Sequence, residues 1–256
     1  MRVTDLRIAA GLALVLSLGA CQQQWVYEAE RNQRALASGQ YEEVQYNVPP
    51  KVVYRIDEHR FVTLENYNGC LGDGWYNDTR TGVRTKIGLL WPTGYRGRLI
   101  IDDPTGMNVA IPRVSRNVCG DRGCIDYVAY STDGGRSFNW VRYDIHDISF
   151  DPVVDSAKYL FTVTRDSMYL TFFREKTHGA NDVKGFKNST IYDPQSDLST
   201  TDRFPLAPEY VYGVNGKLPE GVGIEFNATL PSGLRTPSGA DRFTCDATVQ
   251  EGKASD

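Results

Sequence analysis

The sequence predicts an all-β protein whose antiparallel sheets are built from consecutive hairpins and follow a flexible N-terminal tether. Three observations support this prediction. After residue 50, short runs of β-branched and aromatic residues alternate with turn residues. No stretch longer than about ten residues there has the apolar period of a helix. Glycine and tyrosine are frequent, at 24 and 15 residues, a mixture that suits turns and strands.

The first twenty residues, 1–20, have the features of a lipoprotein signal peptide. The first seven residues contain the basic side chains Arg2 and Arg7, and residues 8–20 are uncharged. That run is too short to span a bilayer but has the right length for the apolar part of a signal peptide. It ends in LGAC, with the cysteine at position 21, which resembles a bacterial lipobox. The resemblance implies cleavage before Cys21 and acylation of its thiol, for example with palmitate; a plain secretory signal is the alternative.

The lipid and its neighbouring residue imply a location. Acyl chains contribute about 0.8 kcal/mol per buried CH₂, so several chains on one cysteine anchor a soluble domain firmly. Residue 22 is glutamine and not aspartate, which by resemblance to Gram-negative lipoproteins implies sorting to the outer membrane. We therefore expect residues 21–50 to be a lipidated tether. The folded domain, residues 51–256, would then face the periplasm.

Strand signals recur through the domain and are separated by turn residues. In chain order they lie at residues 51–56, 60–67, 98–103, 107–114, 125–131, 137–143, 159–164, 168–173, 223–230 and 242–249. The pair around Asp133-Gly134-Gly135 is a strong hairpin signal. Residues 174–204 interrupt this rhythm with 31 residues of polar, turn-forming sequence. Such a segment is either a functional loop or a tolerated surface insertion.

The turn YSTDGGRSF, residues 130–138, fits S-x-D-x-G-x-S/T-W/F, the Asp-box of sialidases and related β-propellers. In this pattern Asp133 accepts hydrogen bonds from turn amides, the glycines adopt positive φ, and Phe138 packs under the sheet. A weaker version lies in YNDTRTGVR, residues 76–84. The pattern describes how a hairpin turns. A propeller-like array of hairpins and a β-sandwich both fit.

Four cysteines follow Cys21: Cys70, Cys119, Cys124 and Cys245. An even number in an exported protein predicts two disulfides, for which three pairings are open. We favour Cys119–Cys124, which closes the turn CGDRGC, and this leaves Cys70–Cys245. A metal site is the rival interpretation. CxxC spacing is absent and no histidine lies near these cysteines, so no metal or other cofactor is expected.

The net charge and the absence of catalytic motifs argue against two classes of function, nucleic-acid binding and catalysis. With 28 basic and 32 acidic side chains, the chain carries a net charge of −4. A mildly acidic chain without a basic run argues against nucleic-acid binding and favours association with a basic surface. A sialidase-like glycoside hydrolase would need partners for Arg55 in YRID, which the spacing does not locate. The nucleophile elbow, the phosphate loop and H-E-x-x-H are absent, so neither catalytic residues nor enzymatic activity are expected.

Several stretches resemble a family of type VI secretion immunity lipoproteins, the partners of antibacterial phospholipase effectors. They include YRIDEHRFVTLENYNGC, CGDRGC, YVYGVNGKLPEG and LRTPSGADRFTCD, and they span residues 52–246 in the expected order. The resemblance implies a membrane-anchored protein that binds an incoming lipase and blocks it, protecting the producing cell. A structural envelope lipoprotein without a toxin partner is a further alternative.

A binding protein of this kind presents loops and aromatic anchors on a rigid sheet. We predict Trp75 and Tyr76, in a loop at 69–78, as partner-binding residues. Tyr210 and Tyr212 are predicted in the same role. The polar segment 174–204 is a further candidate contact.

Overall fold

The computed structural model describes residues 46, 48–114, 119–120, 123–144, 149, 151–173, 199–213 and 216–246. All of them belong to the compact unit that begins at Tyr46. The predicted signal peptide 1–20, the lipidation site Cys21 and most of the tether 21–50 lie outside the described residues, as does 174–198 of the polar segment. Within the described part of the chain, no helix is long and apolar enough to cross a bilayer.

Strands dominate the described residues, which confirms the all-β prediction. In chain order they are β1 (Lys51–Arg55), β2 (Arg60–Asn68), β3 (Leu71–Asp78), β4 (Val83–Leu90), β5 (Arg98–Ile101), β6 (Val109–Arg113), β7 (Cys119–Gly120), β8 (Gly123–Cys124), β9 (Tyr127–Ser131), β10 (Asn139–Arg142), β11 (Tyr159–Val163), β12 (Ser167–Phe173) and β13 (Ser199–Pro205). A short helix, α1 (Pro152–Asp155), precedes a 3₁₀ turn at Ser156–Lys158. The Asp151 carboxylate caps α1 by accepting a hydrogen bond from the Val154 amide.

The first sheet is an antiparallel meander in the order β1-β2-β3-β4. Side chains alternate between the core and solvent because the strand period is two residues. On β3 the even-numbered side chains are buried and the odd-numbered ones are half exposed. The predicted loop at 69–78 is therefore wrong for residues 71–78. Only Gly69 and Cys70 form the turn, with φ values of 53° and 64°.

Two further sheets have the orders β13-β12-β11-β5 and β10-β9-β6. The β9–β10 and β11–β12 hairpins are antiparallel, as their turn signals predict. The sequence did not predict the parallel pairing of β5 with β11. Because of it, the consecutive strands β5 and β6 lie in different sheets. The last residues of the polar segment also form a strand, β13, which pairs with β12.

The core is one continuous cluster of aliphatic and aromatic side chains from all three large sheets. Its largest members pack edge to face, the preferred geometry of aromatic pairs. Tyr143 lies 5.0 Å from Tyr159 and 5.1 Å from Phe161, between ring centroids. The Tyr143 hydroxyl donates to the Arg113 carbonyl, 3.2 Å away. Burial raises the pKa of Tyr143 far above its ordinary value, so this core phenol stays neutral.

The C-terminal segment 235–246 joins the first two large sheets. Thr244 donates its amide proton to the Val53 carbonyl on the outer side of β1, 2.8 Å away. The Leu99 amide of β5 donates to the Asp241 carbonyl, 2.9 Å away. These isolated bonds do not form a ladder, so the predicted strand at 242–249 is wrong over its described residues.

The predicted strand at 223–230 also does not form a regular ladder. It forms a single antiparallel bridge, between Glu225 and Arg203 of β13. The Ala228 amide adds a hydrogen bond to the Thr201 carbonyl, 2.8 Å away. The segment thus covers the outer edge of β13 without becoming a regular strand, which protects that edge from pairing with other chains.

The structure bears on both predicted cysteine pairs and shows one of them, Cys70–Cys245. Cys70 forms a disulfide with Cys245, and their Cα atoms lie 6.1 Å apart. Cys124 is also disulfide-bonded. Cys119 lies directly opposite Cys124 in the short β7–β8 ladder, a register that agrees with the favoured pairing.

Candidate partner-binding surfaces

The Asp-box turn is built as its pattern predicts. The Asp133 carboxylate accepts hydrogen bonds from the Ser137 amide at 3.0 Å, the Ser137 hydroxyl at 2.6 Å and the Ser131 hydroxyl at 2.8 Å. The Ser131 hydroxyl oxygen accepts a bond from the Gly135 amide, 2.8 Å away. Gly134 and Gly135 have φ values of 75° and 80°, which glycine adopts without a steric penalty.

The same turn connects the third sheet to the first. Phe138 packs edge to face on Tyr76 of β3, with 6.0 Å between ring centroids. The Gly134 amide donates to the Met107 carbonyl in the β5–β6 connection, 2.9 Å away. The backbone of Gly135 lies against the Tyr76 ring. The Asp-box is therefore a packing junction in this protein.

Replacing Asp133 with asparagine is expected to lower the free energy of unfolding by about 1 kcal/mol near neutral pH. Burial raises the pKa of Asp133, but hydrogen bonds from Ser137 and Ser131 outweigh burial and hold the pKa below its ordinary 3.8. A lowered folded-state pKa contributes stability above the unfolded pKa, and that contribution is lost as the pH falls through the folded value. Urea unfolding of the wild type and the variant, from about pH 7 down to about pH 3, measures how their stability difference changes with pH. A stability difference that does not change with pH would contradict the prediction.

In the weaker Asp-box version, at the β3–β4 turn, an aspartate carboxylate also accepts hydrogen bonds from turn residues. The Asp78 carboxylate accepts bonds from the Arg80 amide and the Thr81 hydroxyl, both at 2.9 Å. A buried aspartate thus closes this hairpin by bonding to residues two and three positions later.

The structure separates the four aromatic residues predicted to bind a partner. Tyr76 and Tyr212 are core residues, so their assignment as contacts is corrected. Tyr76 is fully buried beneath the Asp-box, and Tyr212 is 5% exposed. The Tyr212 amide donates to the Tyr130 hydroxyl at 2.7 Å, and its own hydroxyl donates to the Pro205 carbonyl at 2.7 Å. Flanking glycines and polar residues made both positions resemble exposed loops, whereas long-range packing covers them.

Trp75 and Tyr210 lie at the surface and are half-buried. Trp75 is on the solvent-facing side of the first sheet, which we call the outward face. The side chains of this face form three cross-strand rows. The first contains Val52, Thr63, Trp75 and Lys86, and the second contains Arg55, Phe61, Asn77 and Arg84. Glu65, Asp73 and Leu89 follow in a third row.

Cations and aromatic rings are interleaved on the outward face. The Arg84 guanidinium lies over the Trp75 ring, 3.9 Å from its centroid, and the Arg55 guanidinium lies 5.1 Å from that of Phe61. Contacts of this kind are attractive because a ring carries negative charge on its face. Arg84 also pairs with Glu65 at 2.6 Å.

The sequence analysis missed the cations Arg84 and Lys86. A signal for them existed, because VRTK at residues 83–86 places two cations two positions apart. Such residues share one face of a strand. Their meeting with Trp75 depends on the β3–β4 register, which the sequence does not show.

A second surface feature is a groove of about 440 Å³ beside Tyr212. Val211, Leu218, Ile224 and Phe226 contribute its apolar lining. Phe226 is 61% exposed, the most exposed large hydrophobic side chain among the described residues.

Arg55, on which a sialidase-like site would depend, lies on the outward face over Phe61. Arg84 lies in the same row but on the opposite edge strand, and therefore roughly 14 Å away. Among the described residues, no group of three or more His, Cys, Asp or Glu side chains is placed to hold a metal ion.

Comparison with known families matches residues 46–171 to the model described as T6SS Tli3 immunity protein. Residues 46–171 are therefore similar to the T6SS Tli3 immunity proteins. The result confirms the resemblance to type VI secretion (T6SS) immunity proteins that the sequence motifs indicated. The stretch matched to Tli3 contains the whole first sheet and the Asp-box turn, and it ends within β12. No curated protein matches the chain.

Proposed function

We propose that this protein is a lipid-anchored immunity protein that binds and inhibits a phospholipase effector of the type VI secretion system. The family match carries the proposal, because Tli3 proteins are T6SS immunity proteins. The phospholipase target is supported by the resemblance of motifs such as CGDRGC and LRTPSGADRFTCD. The lipobox ending at Cys21 supports an anchor on the periplasmic side of the outer membrane.

The mechanism is inhibition by binding, without catalysis. An effector arriving in the periplasm would meet a rigid β domain that covers the mouth of its active site or holds its lid. Such a complex needs an interface of roughly 1,600 Å² in total. The sheets are suited to this because their core is continuous and the Cys70–Cys245 disulfide closes the domain, so little conformational entropy is lost on binding.

An inhibition titration tests the proposal. The full-length protein, purified in detergent, is added to the phospholipase encoded beside it, and lipid hydrolysis is measured. We expect lipid hydrolysis to fall linearly with added protein and to vanish near a 1:1 ratio. In a tight complex, nearly every added molecule binds one phospholipase molecule. An unrelated lipase is the control. Unchanged activity at micromolar excess would reject the proposed function.

A Cys21→Ser variant that carries a cleavable secretory signal in place of residues 1–20 separates anchoring from inhibition in the same assay. It is expected to leave the membrane fraction while inhibiting the enzyme in solution as well as the wild type does, because the lipid contributes only location. Retention of the variant in the membrane fraction would contradict the lipid anchor.

A further inference from the structure

The outward face presents positive charge, although the whole chain carries a net charge of −4. The side chains of Arg84 and Lys86 are 49% and 45% exposed, whereas their partners Glu65 and Asp73 are only 19% and 21% exposed. The carboxylates therefore lie lower on the face and the cations reach into solvent. Arg55 adds a third exposed cation in line with Arg84.

Apolar side chains lie among these cations. Trp75 is half-buried between Thr63 and Lys86. Val52 and Leu89 are 38% and 52% exposed. The solvent side of an antiparallel sheet is ordinarily polar, and tryptophan and arginine dominate the energetic centres of protein interfaces. The face therefore has the composition of a binding surface.

The size of the face is adequate for most of one side of an interface. Three strands of eight or nine residues and the five-residue β1 span at most roughly 19 Å by 26 Å, or roughly 500 Å². A stable complex buries roughly 800 Å² on each partner. The turn at residues 79–82 and the turn at 57–59 adjoin the face at one end, where the Thr79 amide donates to the His59 carbonyl, and could supply part of the rest.

We infer that the outward face docks the effector, and that the matching surface of the effector is acidic around an apolar centre. This inference rests on the proposed function. Charge complementarity selects an acidic partner surface, because exposed cations meeting a basic surface would repel it. The whole face lies within the residues matched to Tli3, whereas the groove beside Tyr212 lies outside them.

Charge reversal tests the inference. We expect the double variant Arg84→Glu/Lys86→Glu to bind the neighbouring phospholipase about 100-fold more weakly, since each new carboxylate would face an acidic surface. Trp75→Ala is expected to weaken binding about 30-fold through the loss of a central anchor. Arg165→Glu, which reverses a single exposed cation in the β11–β12 turn, is the control and should bind like the wild type.

Affinities of the full-length proteins are measured by calorimetry, after thermal unfolding shows that each variant is folded. If the double variant fails to fold, the exposed Arg55→Glu replaces it, with an expected loss of about 10-fold. Charge-reversed protein that binds as tightly as Arg165→Glu overturns the inference and leaves the proposed function standing. Wild-type protein that neither binds nor inhibits the phospholipase rejects both.

A second assay distinguishes a protein partner from an anionic membrane. Flotation with phosphatidylglycerol vesicles, with both proteins in the Cys21→Ser background so that no acyl chain binds the membrane, should show no difference between the double variant and Arg165→Glu. If the double variant loses vesicle binding while it keeps its affinity for the phospholipase, the face contacts lipid and the inference is overturned.

Discussion

Gly135→Ala is expected to lower the free energy of unfolding by about 4 kcal/mol. The backbone of Gly135 has a φ of 80°, and an alanine there costs about 1–2 kcal/mol. The added methyl group would overlap the ring of Tyr76, and overpacking of a core costs about 1–3 kcal/mol more. Tyr76 is fully buried, so core packing surrounds its ring. The loss would be a large share of the roughly 5–15 kcal/mol that stabilises a typical domain.

Gly82→Ala supplies the matched control for denaturant unfolding. Gly82 also has a left-handed φ, 71°, but a methyl group there would meet no atom within 4 Å. Its loss should therefore be only about 1 kcal/mol, from the backbone alone. Equal losses in the two variants would show that the junction between the Asp-box and the first sheet does not contribute to stability.

Removal of the long disulfide, by Cys70→Ser/Cys245→Ser, is expected to lower the free energy of unfolding by about 5 kcal/mol. The two cysteines are 175 residues apart in sequence, and the loop-entropy model predicts a loss of this size. In the folded protein, the loss of the disulfide should loosen mainly segment 235–246. Without the disulfide, isolated hydrogen bonds attach the backbone of this segment to the sheets. Guanidinium unfolding without reductant measures the change.

The Cys119→Ser/Cys124→Ser variant is the comparison. The short loop between these cysteines predicts a loss of only about 2 kcal/mol. Limited proteolysis adds a local measurement, because the Cys70/Cys245 variant should be cut within 235–246 sooner than the wild type. If both double variants lose the same stability, loop length does not explain the effect.

The sequence alone was sufficient for features whose forces act over a few residues. The Asp-box turn could be predicted because Asp133, Ser131 and Ser137 bond to one another within seven positions. The β11–β12 hairpin followed from its turn residues in the same way. The family resemblance likewise rested on short motifs, and the Tli3 match confirmed it.

Contacts between residues far apart in the chain could not be predicted from the sequence. The parallel contact of β5 with β11 joins strands about sixty residues apart, and nothing in either strand encodes that partner. The burial of Tyr212 depends on a hydrogen bond to Tyr130, 82 positions away. The apolar runs at 223–230 and 242–249 predicted strands, but 223–230 and the described residues 242–246 cover sheet edges with isolated bonds.

Thus the residues by themselves determined the all-β class, the hairpin turns, the number of cysteines available for pairing and the family resemblance. Only the tertiary structure decided which aromatic residues are exposed: adjacent in sequence, Trp75 faces solvent and Tyr76 lies under the Asp-box. It also brought Arg84 and Lys86 beside Trp75. The physical reason is that strand alternation specifies two faces, whereas the packing of the other sheets selects which face is covered.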